Sequence, residues 1–230
     1  MSNIAVIVYG QVREFEIAQK SWRFLKDLNC DFYFSTWSKS YHNHDLDKYP
    51  IVNVDENIIK KHFPNAIIEI LEENEISSTQ STNSKKMIFH LKNGMKLINK
   101  SKKKYEQLVL NRFDNYFDIK SDVSNFIELK ENKKIYNNRR GIFINERNDH
   151  TIDDLFFIGE FETIKNFIDQ LDYDFEINIH DYLANKIKRL GYETQGLEDL
   201  MNVCVVRANV NELEEKEINI KSIQEKFNNW

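Results

Sequence analysis

The stretch YEQLVLNRFDNYF, residues 105–117, carries an apolar run into Arg112 and Asp114. Two residues apart on an extended chain, these side chains point the same way. A guanidinium is a planar fork matched to carboxylate or phosphate. A carboxylate at the end of a central strand suits a divalent cation that bridges two phosphates. Mg²⁺ and Mn²⁺ take oxygen ligands, commonly one or two carboxylates plus the phosphates themselves. Asp114 is then the candidate metal ligand and Arg112 a neutraliser of the same phosphates. The alternative is a structural Arg–Asp pair at a sheet edge.

Three other stretches carry comparable residue types. YGQVREFE places Gly10, Gln11 and Arg13 after an apolar run. In open parallel sheets ligands bind outside the carboxyl ends of the strands. A glycine there lets the backbone approach a ligand, an arginine meets phosphate, and a following helix N-terminus favours anions. FSTW ends in Thr36, a hydrogen-bonding group, and Trp37, which could stack on a base or sugar or lie in the core. TIDDLFFIGE sets Asp153 and Asp154 before an apolar run, where they could bind acceptor hydroxyls, act as a general base or cap a turn. HNHDLD (residues 42–47) reads as a solvated loop, with loop metal binding the alternative. Neither DLD (Asp45, Asp47) nor DYD (Asp172, Asp174) follows a buried strand. His180 reads as part of a capped helix start, with Asp181 in the first turn.

The elements that position these groups follow from periodicity. IAVIVY (residues 4–9) has no polar face and predicts a strand buried on both sides. Phe15, Ala18, Trp22, Leu25 and Leu28 have helical spacing, and CDFYFSTW predicts the next strand. Strand, helix, strand in under forty residues implies a βαβ unit and a parallel sheet. The pattern continues with a short helix at 55–63 capped by Asp55 or Asn53, a strand at 66–71, a polar loop at 72–84 and a helix over 85–105, with Gly94 a mild flaw. EQLVLNRF is the next strand. Residues 116–147 predict small antiparallel strands or loops. Then come a strand at 155–158 with a turn at Gly159, a helix through Ile164 and Leu171, and another closed by Gly191 as a left-handed cap. MNVCVVRANV predicts a late strand, and residues 211–230 a charged helical tail.

Composition bounds the class. The chain has 230 residues, 41% of them hydrophobic, with 16 Phe and 10 Tyr, enough for one sizeable core. A net charge of -5 excludes a whole-protein basic field for nucleic acid. Residues 76–105 nevertheless contain no acid and eight lysines, among them Lys85, Lys92 and Lys104. They form a solvated helix face or a patch facing an anion. Two cysteines, Cys30 and Cys204, predict buried reduced thiols and exclude a cysteine-built metal site. The N-terminus lacks the long apolar run of a signal peptide, and no segment approaches the roughly 20 apolar residues of a membrane span. The expectation is a cytoplasmic protein. Neither G-x-G-x-x-G nor G-x-x-x-x-G-K-[ST] occurs, which removes the dinucleotide and P-loop readings.

Taken in order, GQVR (10–13), STW (35–37), YEQLVLNRFD (105–114) and DDLFFIG (153–159) resemble a group of small bacterial and viral glycosyltransferase-like proteins. The resemblance spans roughly residues 3 to 200. It implies a GT-A-like α/β fold: a Rossmann-like, mostly parallel sheet flanked by helices, with a more irregular acceptor-side half. It divides a single domain into a nucleotide-binding half (1–115), an acceptor half (116–210) and the tail. It also implies a nucleotide-sugar donor, UDP-linked, and puts RFD where such enzymes carry their D-x-D metal motif. Position 112 departs from that motif, leaving Asp114 as the sole carboxylate for Mn²⁺ or Mg²⁺.

The implied reaction moves a sugar onto a hydroxyl of a surface glycan or, from a viral source, of a hydroxymethylated DNA base. Charge growing on the leaving diphosphate would be met by Arg13, Arg112 and the cation. An inverting enzyme needs a base, for which Asp153 or Asp154 are the candidates; a retaining one does not. Two other classes stay open, a nucleotidyltransferase and a non-catalytic nucleotide- or sugar-binding module of the same fold.

Overall fold

A run without a polar face is stable only where both its faces are covered. In the computed structural model, which describes residues 3–40, 51–73, 82–138 and 155–205, residues 4–9 lie in β1 (Ile4–Gly10), buried until its last residue. The apolar spacing after it predicts one helix. The chain instead forms α1 (Phe15–Ala18), a 3-10 turn (Gln19–Trp22) and α2 (Arg23–Asp27). The apolar positions still converge, because Phe15 meets Trp22, Phe34 and Phe113 edge-on.

Next come β2 (Asp31–Trp37) and the short antiparallel pair β3 (Lys39–Ser40) and β4 (Val52–Asn53). α3 (Glu56–Lys60) starts at Asp55, whose carboxylate accepts from the N–H groups of Asn57 and Ile58. β5 (Ile67–Leu71) and α4 (Asn83–Ser101) complete the first part. β6 (Gln107–Arg112) and β7 (Asn115–Ile119) follow, then β8 (Lys134–Asn137), β9 (Phe156–Glu160), α5 (Phe161–Gln170) and α6 (Ile179–Arg189). Gly191, at φ 69°, closes α6 in the left-handed conformation. β10 (Glu193–Gly196), which the sequence did not suggest, and β11 (Met201–Val205) end the described chain.

The result is an α/β fold around a seven-stranded sheet of order β10-β8-β9-β6-β1-β2-β5. β1 pairs parallel with β2 and β6, and β2 with β5. β8 and β10 are mutually parallel, and β9 runs antiparallel to both β6 and β8. One sheet therefore takes strands from both sides of residue 115. The carboxyl ends of β1, β2, β5, β6, β8 and β10 share one edge with the start of β9. One face packs on the Phe15–Trp22–Phe63 aromatic cluster and on the β7–β11 ribbon, the other on α4, α5 and α6.

Two glycines differ from their sequence reading. Gly159 lies inside β9 rather than in a turn; a Cβ there would meet the Lys134 carbonyl oxygen at 3.0 Å, so the neighbouring strand needs the space. Gly94 is no flaw in α4. A Cβ would sit 2.5 Å from Cγ2 of Ile7, which is fully buried on β1. The missing side chain lets α4 lie directly on the central strand. Gly94→Ala gains about 1 kcal/mol of helix propensity but overpacks a β-branched neighbour at about 1–3 kcal/mol. Urea unfolding should therefore show a net loss of stability. A variant as stable as the parent would mean that Ile7 yields.

Candidate functional site

The shared carboxyl edge gathers most of the groups singled out in the sequence. β1 ends at Gly10, whose φ of 103° no other residue adopts readily, and a Cβ there would meet nothing within 4 Å. The backbone beside it is open. Gln11 and Arg13 follow in the turn, where the Arg13 N–H donates to the Gln11 carbonyl at 2.8 Å. The Ser40 hydroxyl donates to the Val12 carbonyl at 2.8 Å, tying this turn to β3. The helix N-terminus expected after Arg13 is weaker than the sequence suggests. α1 is a single turn whose N-cap, Glu14, is left-handed at φ 44°, so few peptide dipoles align there.

Thr36 is the residue paired with Gly10 across β1 and β2. It is fully buried, and its hydroxyl has no hydrogen-bond partner. A buried hydroxyl left unpaired costs about 1–3 kcal/mol. Trp37 turns the other way, because side chains alternate along β2. It is 2% exposed, stacked on Phe89 at 5.6 Å and edge-on to His90 at 4.2 Å. In this structure its indole packs under α4 and belongs to the core.

Arg112 ends β6 and Asp114 precedes β7, with Phe113 buried between them. The guanidinium grips the carboxylate with both prongs, Nε to Oδ1 at 2.9 Å and Nη2 to Oδ2 at 2.8 Å. The Asp114 side chain is 6% exposed and that of Arg112 21%. The structure therefore contains the Arg–Asp pair that the sequence offered as one alternative. Both carboxylate oxygens face the guanidinium, and among the described residues no group of three His, Cys, Asp or Glu could hold a metal ion. Among the described residues, the donor set beside Asp114 does not fit a divalent cation.

Sequence reading overlooked the asparagines that hold this corner together. Asn115 Nδ2 donates to Asn111 Oδ1 at 2.8 Å and to the Leu155 carbonyl at 2.6 Å, while its own carbonyl accepts from the Trp22 indole at 2.7 Å. One residue thus joins β6, the entry to β9 and the 3-10 turn. Asp153 and Asp154 lie outside the described residues. Their chain neighbour Leu155 enters here, and Phe156 pairs with Asn111. Asn111 Nδ2, Asn115 Oδ1 and both side-chain polar atoms of Asn137 are buried without partners. The signal was available: Asn111 and Asn137 fall at the ends of the apolar runs LVLN and KIYN, and Asn115 opens the next strand.

A second polar cluster lies under α4. Asn93 Nδ2 donates to Ser35 Oγ at 3.0 Å and to Glu69 Oε2 at 2.5 Å, and Ser35 Oγ lies 2.8 Å from His90 Nδ1. Burial, with a smaller contribution from the Lys86 charge, lowers the His90 pKa to about 3, so the ring is neutral at physiological pH. Its Nε2 has no partner. Elsewhere, burial pushes the Cys30 thiol up to about 12, which makes it a packing group and not a nucleophile.

The lysine stretch is partly matched by acids from outside it: Lys86 pairs with Glu73 at 3.0 Å and Lys103 with Asp31 at 2.8 Å. Asp172 pairs with Lys186 at 2.8 Å, and the His180 N–H donates to the Asn178 side chain that caps α6. The His42–Asp47 loop lies outside the described residues. Among the described residues no helix is long and apolar enough to cross a membrane.

His90 gives a pH prediction with a definite sign. Its folded pKa lies below the unfolded value of about 6.5, so below that pH the unfolded chain binds the extra proton. Stability is then lost as pH falls from about 6.5 toward 3, by up to about 1.4 kcal/mol per pH unit. His90→Gln removes that proton, and urea titrations between pH 4 and 6 should show a slope shallower by about one proton. An unchanged slope would place an ordinary, protonatable histidine at this position.

No family model and no curated protein matches this sequence. Among solved structures, the fold is similar to the apo-form glycosyltransferase GlyE of Streptococcus pneumoniae TIGR4, at 10% identity and a TM-score of 0.46. The match covers 86% of this chain and 46% of that one, so the chain spans about half the length of that protein.

Proposed function

We propose that this chain is a glycosyltransferase that binds a nucleotide-sugar, UDP-linked, along the carboxyl edge of its sheet and passes the sugar to a hydroxyl acceptor. The observation that carries the reading is the pairing of an open glycine backbone at Gly10 with the buried, unpartnered hydroxyl of Thr36 on the next strand. An unpaired buried hydroxyl is a cost that a bound ligand relieves. β6 lies on the other side of β1 and ends in Arg112, a cation at the same edge whose Nε and Nη2 are held by Asp114.

In this reading Gly10 and Gln11 accommodate the nucleoside, Thr36 hydrogen-bonds it, and Arg13 and Arg112 meet the diphosphate. Charge grows on the diphosphate oxygens as the glycosidic bond breaks. Fixed guanidinium groups stabilise that charge without reorganising. Asp114 acts as a positioning residue that holds Arg112 in one rotamer. No step is assigned to Mn²⁺ or Mg²⁺, because Asp114 would first have to release Arg112. Asp153 or Asp154 is the base if the reaction inverts. A surface glycan is the acceptor we favour over a DNA base, since part of the lysine stretch is already neutralised. The closed Arg112–Asp114 pair favours one further reading, a nucleotide- or sugar-binding module without catalysis.

Thermal-shift measurements with nucleoside diphosphates and nucleotide sugars, with and without Mn²⁺, test this directly. A rise in Tm with one nucleotide is expected, without dependence on metal. Thr36→Val, which keeps the shape and removes only the hydroxyl, should weaken that nucleotide about tenfold and leave the unliganded Tm unchanged or higher. Arg112→Lys keeps the charge and loses the fork, and should weaken it about 10- to 100-fold. If no nucleotide shifts the Tm, the nucleotide site is absent. If binding occurs without hydrolysis of any nucleotide-sugar, the chain is the binding module.

A further inference from the structure

We infer that Asn137 is a sugar-recognition residue, the amide that hydrogen-bonds the ring hydroxyls of the transferred hexose; this rests on the nucleotide-sugar reading above. Asn137 is the last residue of β8 and is fully buried, and neither Nδ2 nor Oδ1 has a hydrogen-bond partner. A donor and an acceptor held at one fixed spacing match adjacent hydroxyls, each of which can give and take a hydrogen bond. Buried side-chain amides in folded proteins are nearly always satisfied, so two open positions on one residue point to a partner.

The register places this amide relative to the diphosphate. Asn137 is level with Phe157 on β9, and Phe157 with Leu110 on β6. These three residues share the face covered by the helices, and Arg112 lies two residues further along β6 on that same face. Two strand spacings and two residue rises separate the Cα atoms of Asn137 and Arg112 by roughly 12 Å. Thr36 and Gly10 lie on the opposite side of β6 in the strand order. A nucleotide-sugar with its phosphates at Arg112 on the helix-covered face would cross the edge at Gly10 to reach Thr36, whose side chain is on the other face, and would direct its sugar toward β8. The amide is enclosed, so the sugar must displace a neighbouring group to reach it. In the unliganded chain the two open positions are a standing cost.

Asn137→Leu separates binding from structure, because leucine fills a similar volume and has no polar atoms to satisfy. In titrations of the full chain with UDP, UDP-glucose, UDP-galactose and UDP-N-acetylglucosamine, the variant should weaken the preferred UDP-sugar about tenfold and UDP itself by less than twofold. The unliganded Tm should stay the same or rise. Asn137→Asp, which keeps the shape but replaces the amide N–H donors with a carboxyl oxygen, should give the same split between sugar nucleotide and nucleotide. Equal losses for UDP and the UDP-sugars, or none for either, overturn the assignment. So does a Tm several degrees lower in the leucine variant, which would mark an amide satisfied by buried water. If the wild-type chain binds none of the four, the nucleotide-sugar reading fails first and the assignment falls with it. Wild-type binding of UDP alone overturns only the assignment.

Discussion

Full burial of the central strands is the constraint on which the rest depends. β1 is covered on one face by an aromatic cluster and on the other by α4, lying close because Gly94 has no side chain. No polar side chain can leave such a strand before its end without losing water and gaining nothing. Groups with chemistry are therefore pushed to the sheet edge. The reversed strand β9 starts at that same edge, where Phe156 pairs with Asn111.

The corner at this edge is built from amides. Asn115 bonds to β6, to the entry of β9 and to the Trp22 indole. The Arg112–Asp114 clamp lies in the same β6–β7 turn, so its orientation is fixed by contacts from three separate stretches. A guanidinium held in this way has little side-chain freedom left to lose. The same clamp occupies both oxygens of the Asp114 carboxylate.

The unpaired buried atoms are concentrated near this edge. Thr36 Oγ1, Asn111 Nδ2, Asn115 Oδ1 and both ends of Asn137 all lie at or next to the carboxyl ends of strands. The opposite edge is different. There Tyr33, Tyr105, Ser101, Asp31 and Lys103 satisfy one another in a closed network. One end of the sheet is finished as structure, and the other retains unmet hydrogen bonds.

Periodicity in the sequence was enough for the α/β class, the parallel first half, the Asp55 cap and the Gly191 cap, because all of these are local. Apolar runs without a polar face need cover on both sides, and a left-handed cap needs glycine. The order GQVR, STW, RFD already marked three strand ends, which the fold brings to one edge of the sheet. Tertiary structure decided what local patterns cannot carry. It turned Trp37 into the core, since alternation along β2 decides a side chain's face only once α4 lies on that face. It broke the first helix into three pieces around Phe15. It placed β8 and β10 in the main sheet and gave Gly94 and Gly159 their purpose, because a close approach belongs to two segments at once. It closed Arg112 onto Asp114, and it left Thr36 and Asn137 without partners. An unmet hydrogen bond is a property of everything around a residue, and no single stretch of sequence contains it.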